Sequence, residues 1–136
     1  MQENTLIDMR NVKKVYHVGS VDVHALCGVD LQIASGDICS IIGRSGSGKS
    51  TMLNVLAGLE KVSSGEIVIA GKHLERMTQG ELILFRQKRV GFIFQSFNLM
   101  PYYTALENVA LPLSFSGIPL AQRNKRAKRM LDLVGL

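Results

Sequence analysis

In Val29-Asp30-Leu31-Gln32-Ile33 the apolar residues fall on every second position, the spacing of a strand with one face buried. Residues 6–10 and 23–33 read as strands, and Ala34-Ser35-Gly36-Asp37 as the turn that ends the second. Ile38-Cys39-Ser40-Ile41-Ile42 does not alternate. It is apolar on both faces except for one hydroxyl, which predicts a strand covered on both sides in a parallel sheet. A helix is predicted next, with Met52, Val55, Leu56 and Leu59 on one stripe and Gly58 weakening its end. Ser63-Ser64-Gly65 turns into a short strand, residues 66–70, in which Ile67 and Ile69 share a face.

Thr78 and Glu81 fit the reciprocal cap T-x-x-E, so a helix is expected to start there and to end near Arg89. Val90-Gly91-Phe92-Ile93-Phe94 is a second candidate for a buried strand, closed by Gln95. Thr104 and Glu107 repeat the cap, and Leu106, Val109, Ala110 and Leu113 follow at helical spacing, with Pro112 expected to bend or end that helix. Pro119, at a first-turn position, opens a last helix with Leu120, Ala127, Met130, Leu131 and Val134 on one face. Strands alternating with helices predict an α/β domain.

Composition narrows the class. With 136 residues and 46% hydrophobic content the chain suits one soluble domain, and 13 glycines with 3 prolines exclude a collagen-like or low-complexity chain. The net charge of +5 is unevenly placed: residues 1–85 hold eight Lys/Arg and nine Asp/Glu, residues 86–136 eight and two. Cys27 and Cys39 stand twelve apart and His17, His24 and His73 show no ligand spacing, so neither a disulfide framework nor a zinc site is indicated. Cys39 reads as a small core residue and the histidines as solvated. Residues 1–5 carry an acid and no basic or apolar leader pattern. Residues 90–122 carry only Glu107 as a charge, but polar residues and all three prolines interrupt them, so no membrane-spanning helix is expected.

The chemistry lies in Gly43-Arg44-Ser45-Gly46-Ser47-Gly48-Lys49-Ser50-Thr51, which matches G-x-x-x-x-G-K-S/T between an apolar run and an amphipathic helix. Its glycines let the backbone curl until successive N–H groups converge on an anion, and the following helix adds about half a positive charge at its N-terminus. Lys49 can reach β- and γ-phosphates, and Ser50 offers a hydroxyl to Mg²⁺. The four fixed positions arise by chance in about half a percent of chains of this length. At the variable position Arg44, where the backbone matters most, the side chain is read as solvated.

Two long strings, VYHVGSVDVHALCGVDLQIASGDICSIIGRSGSGKSTMLNVLAGLEKVSSGEIVIAG and RVGFIFQSFNLMPYYTALENVALPL, resemble the nucleotide-binding domain of ATP-binding cassette transporters, most closely the macrolide-export and lipoprotein-release group. The resemblance implies a P-loop NTPase core with a mixed sheet, an N-terminal antiparallel part and the start of a helical subdomain. It divides the chain into residues 1–95, the nucleotide-binding core, and 96–136. By position Tyr16 would stack on adenine, and Gln95 would contact Mg²⁺ and the attacking water and sense the membrane partner. From the residues alone, a half-buried loop aromatic is the better reading of Tyr16, and Gln95 can simply cap a strand. Proline is frequent in the family where Arg44 stands. Lys49 and Gln95 would be the catalytic residues in this stretch, ATP and Mg²⁺ the ligands. A transmembrane permease and a second nucleotide-binding domain would be the partners, at the cytoplasmic face of the membrane. Residues 96–119 would meet the permease.

The family's LSGGQ signature, its Asp-Glu strand end and its switch histidine have no counterpart in residues 1–136, and residues 113–117 only echo the signature. The chain is therefore expected to be a truncated cassette that binds nucleotide without a general base for water and is marginal in stability. Two other readings stand beside this one. A non-catalytic module docking on a membrane subunit would bind without turnover. A P-loop GTPase or small-molecule kinase is disfavoured because Asn124-Lys125-Arg126-Ala127 lacks the aspartate of N-K-x-D. Five cations in residues 123–129 can suggest nucleic acid, but the apolar stripe on the same helix favours a solvated outer face.

Overall fold

The computed structural model describes residues 4–136. The reading of residues 1–5 against a leader falls partly on residues 1–3, outside the described residues. The chain divides into two units, one ending at Gly91 and one running from Phe92 to Leu136.

The first unit is built on a hairpin of two long strands, β1 (Thr5–Val18) and β2 (Val21–Ala34), followed by α1 (Lys49–Leu56), β3 (Ser64–Ile69), β4 (Lys72–His73), a 3₁₀ turn (Leu74–Arg76) and α2 (Gln79–Arg89). The sheet order is β2-β1-β3-β4, and every pairing is antiparallel. β1 runs well beyond the expected residues 6–10. Asn11 adopts a φ of 47° and the register shifts between Met9 and Val12, so a bulge interrupts the alternation that the eye follows. Met9 and Val12 of β1, Leu26 of β2, and Ile67 and Ile69 of β3 pack with Met52 and Val55 of α1, Leu74, and Leu82 and Phe85 of α2 into one core. Ile67 and Ile69 do share the buried face.

Two expectations are corrected. Residues 38–42 form no strand, and Ile38 and Ile42 are 99% and 92% exposed; only Ile41 reaches the core, and Cys39 is exposed rather than buried. Residues 90–94 likewise join no ladder: Val90 packs on the core, while Ile93 is 97% exposed. A parallel strand exists only beside partners that accept its slanted hydrogen bonds, and among the described residues the sheet offers these stretches none. The parallel half of the mixed sheet is thus not formed among the described residues, and no strand precedes Gln95.

The local signals hold. Thr78 caps α2 through a full reciprocal box: its hydroxyl accepts from the Glu81 N–H at 3.3 Å, and the Glu81 carboxylate accepts from the Thr78 N–H at 2.8 Å. Thr78→Ala is expected to lower the melting midpoint by about 4–8 °C, the equivalent of the ~1 kcal/mol typical of an N-cap side chain. An unchanged midpoint in a calorimetric scan would show that the cap carries no stability.

The second unit holds α3 (Ala105–Phe115) and α4 (Leu120–Leu133), packed on each other with Ala110 and Ala127 buried. Thr104 and Glu107 form the second capping box. Pro112 does not end α3; the helix continues to Phe115. Pro119 is the residue before α4 rather than in its first turn. Of the α4 stripe only Ala127 is buried, whereas Leu120 and Met130 are more than half exposed. Lys125, Arg126, Lys128 and Arg129 are exposed, as a solvated face requires. Among the described residues no helix is long and apolar enough to cross a membrane.

Candidate functional site

Residues 43–48 make a curled loop that runs into the first turn of α1. The Ser47 N–H donates to the Arg44 carbonyl at 3.2 Å, and Gly46 and Gly48 take φ values of 78° and 87°, so the chain doubles back where an ordinary side chain would resist. The Met52 N–H donates to the Gly48 carbonyl at 2.8 Å and begins the helix. Lys49 folds over the loop: its Nζ donates to the carbonyls of Gly43 at 2.9 Å and Arg44 at 2.7 Å. Two of the three ammonium donors are used in this way, which leaves the third for an anion. The first turn of α1 carries no carboxylate, so the positive end of the helix is not neutralised by its own residues. Ser45, Gly46, Ser47 and Ser50 are exposed, and Gly48, Lys49 and Thr51 half-buried, as a surface anion site requires. The Arg44 side chain is exposed and its carbonyl is the part the loop uses.

Tyr16 lies on β1, not on a loop, and reaches this helix. Its hydroxyl donates to Glu60 Oε2 at 2.5 Å and lies 3.5 Å from the Thr51 hydroxyl oxygen. Glu60 is held from three sides, by Tyr16, by the Asn54 side-chain amide at 2.8 Å, and by Lys14 Nζ at 3.5 Å. Lys14 Nζ donates to the Lys61 carbonyl at 2.8 Å and sits 4.9 Å from the centre of the Tyr16 ring, a cation–π contact. Burial, and after it the Glu60 carboxylate, raise the phenol above its ordinary range. Burial alone would raise Glu60, but hydrogen bonds from Tyr16 and Asn54 and the Lys14 charge outweigh it and hold the carboxyl below its usual range. The pair therefore stands as phenol and carboxylate at neutral pH.

The structure thus brings Tyr16 together with Thr51 and the start of α1, while Gln95 is an exposed residue of the second unit. Lys14, Asn54 and Glu60 went unread in the sequence. They come from three segments, and nothing in their spacing announces that they meet. His17 pairs with Asp22 at 2.6 Å and His73 with Glu75 at 2.9 Å, and His24 is exposed. Among the described residues no three acidic, histidine or cysteine side chains gather as a metal site.

Comparison with known proteins matches residues 26–136 to the family described as ABC transporter. An uncharacterized ABC transporter ATP-binding protein of Thermotoga maritima is 44% identical over 96% of this chain and 56% of its own length. The methionine import ATP-binding protein MetN of Geobacillus kaustophilus is also 44% identical, over 96% of the chain and 38% of its own length. The pyoverdine export ATP-binding/permease protein PvdT of Pseudomonas fluorescens is 42% identical over 98% of the chain and 20% of its own. The chain therefore spans little more than half of the first of these curated relatives and less of the others. Among solved structures, the ATP-binding cassette MJ0796 in a dimeric post-hydrolysis state with ADP and Pi superposes with a TM-score of 0.87 at 42% identity, covering 96% of this chain and 57% of that one.

Proposed function

The chain belongs to the ABC transporter family, and from that premise we propose that it is the ATP-holding part of a transport ATPase, binding Mg-ATP through residues 43–51 and energising a membrane permease. The observation that carries this reading is the loop itself, closed by Lys49 across two of its own carbonyls at the bare N-terminus of α1. In it the amides of residues 46–50 face the β- and γ-phosphates, the spare Lys49 donor binds a phosphate oxygen, and adenine stacks on Tyr16 near Thr51. Arg44 contributes its backbone. Mg²⁺ would be held by the Ser50 hydroxyl, with Gln95 as second contact, and would neutralise charge building on the phosphates. The Ser50 hydroxyl fits the ion, being a hard oxygen exposed in the first turn of α1.

Residues 1–95 would be the nucleotide-binding core and 96–136 the helical part that meets the permease. A second nucleotide-binding domain would close head to tail over the ATP, and hydrolysis would draw on groups that residues 1–136 do not supply. The chain would work at the cytoplasmic face of the membrane. Within the family we place it with the macrolide-export and lipoprotein-release group on the strength of the strings around Tyr16 and Gln95.

Calorimetric titration is the test. Saturable binding of Mg-ATP that Lys49→Ala weakens, with weaker competition by GTP, is expected of residues 1–136. Phosphate release is expected only of a longer chain that also carries the missing groups, and a longer chain that still binds without release would favour a docking module that holds nucleotide without turning it over. Absence of Mg-ATP binding would overturn the assignment.

A further inference from the structure

Near the loop, the feature that phosphate binding leaves unexplained is the knot of Lys14, Tyr16, Asn54 and Glu60. A stacking platform works only if its ring plane is fixed before the base arrives, because a ring that must be ordered on binding spends part of the stacking energy on its own entropy. Tyr16 is fixed at both ends. Its backbone is paired with Val23 in the β1–β2 ladder, and its phenol is tied to Glu60, just past the end of α1. Glu60 is in turn immobilised by Asn54 from within α1, so the orientation of the ring is referred to the same helix whose first turn closes the phosphate loop. Lys14 completes the frame. Its ammonium lies over the Tyr16 ring and reaches both the Lys61 carbonyl and the Glu60 carboxylate, so an incoming base is left the face of the ring away from Lys14.

We infer that Glu60 is a positioning residue for base recognition: its carboxylate, braced by Asn54 and Lys14, holds the Tyr16 phenol so that one face of the ring is presented to the purine of the nucleotide. The inference rests on the reading that adenine stacks on Tyr16, and it assigns to Glu60 a contribution to affinity for the base and none to affinity for the triphosphate tail. This separates it from a merely structural ion pair, whose loss would loosen the site for every ligand alike.

The experiment compares Mg-ATP with Mg-tripolyphosphate, which keeps the tail and lacks base and sugar, by calorimetric titration of the intact protein. Glu60→Ala is expected to weaken ATP by about 5- to 10-fold, the scale of an ordinary hydrogen bond, because the lost bond orients the ring and does not touch the ligand, and to leave tripolyphosphate unchanged. Glu60→Gln, whose amide oxygen can still accept from the phenol, is expected to recover most of the loss. Tyr16→Phe should match Glu60→Ala, and the double variant should be no weaker than either alone, because both remove the same bond. Tyr16→Ala should cost more, roughly 10- to 100-fold for ATP only.

Three outcomes overturn the inference in different ways. Glu60→Ala binding ATP like the parent while Tyr16→Ala does not would remove Glu60 and leave stacking intact. Equal losses for ATP and tripolyphosphate in Glu60→Ala and Glu60→Gln would make the carboxylate structural. Tyr16→Ala with an unchanged ratio of the two affinities would remove the stacking reading, and the role of Glu60 with it.

Discussion

Lys49→Ala is expected to weaken Mg-ATP binding by roughly 10- to 100-fold or more, read by calorimetric titration. The ammonium does two things that a methyl group cannot. It offers a donor to the phosphate tail, a charge-assisted bond worth about 1.5–3 kcal/mol, or roughly one to two decades in affinity. It also ties the Gly43 and Arg44 carbonyls at 2.9 and 2.7 Å, holding the curl that turns the loop amides inward. Removing it costs contact and preorganisation together, so the loss should sit at the upper end for ATP and persist with tripolyphosphate, which shares the tail. Lys49→Arg should rescue poorly, because a planar fork does not reproduce a compact ammonium bridging two carbonyls and a phosphate. The fold should be little affected, since the core cluster does not include Lys49. Affinity equal to that of the parent would sink the assignment of the loop.

The parts of this molecule that could be read in the sequence are those whose causes lie within a few residues. Both T-x-x-E caps and the start of α1 are local, and each appears where the spacing puts it, although α1 stops at Leu56 and leaves Leu59 off the predicted stripe. Residues 38–42 and 90–94 show the limit. An apolar run reports that a segment seeks burial, but its pairing depends on a neighbour elsewhere in the chain, and here the ladder stops at β2 and β4. The length of β1 was hidden for another reason. Lys13, Lys14 and His17 look like loop residues, yet they lie opposite Cys27, Leu26 and Asp22 in the hairpin, beyond the bulge at Asn11. Glu60 had no signal at all, because its partner Tyr16 stands 44 positions away on another element. What made the site legible was main-chain geometry demanded by glycines, and what stayed illegible was the side-chain frame around it.

Gly48→Ala is expected to damage both fold and binding, and far more than Gly46→Ala, although both glycines lie in the same loop at positive φ. An alanine in that backbone region pays about 1–2 kcal/mol for its Cβ wherever it sits. At Gly46 nothing lies within 4 Å of the added carbon, so strain is the whole cost. At Gly48 the added carbon would stand 2.4 Å from the Ala25 carbonyl oxygen and 3.2 Å from Leu26 Cδ2. The carbonyl cannot retreat easily. Ala25 is the extra residue where the register passes from Lys14↔Leu26 to Val15↔His24, and β2 is held on both sides of that bulge. The loop must therefore move instead, which pulls on the Gly48–Met52 bond that starts α1 and turns the loop amides away from a common centre. Overpacking of this kind adds about 1–3 kcal/mol, so the melting midpoint of Gly48→Ala should fall at least about 10 °C below that of the parent. ATP affinity should fall by about tenfold or more even at temperatures where the variant remains folded. The paired measurement is decisive because Gly46→Ala carries the same strain without the collision. Equal midpoints and affinities for the two variants would mean that β2 does not buttress the loop.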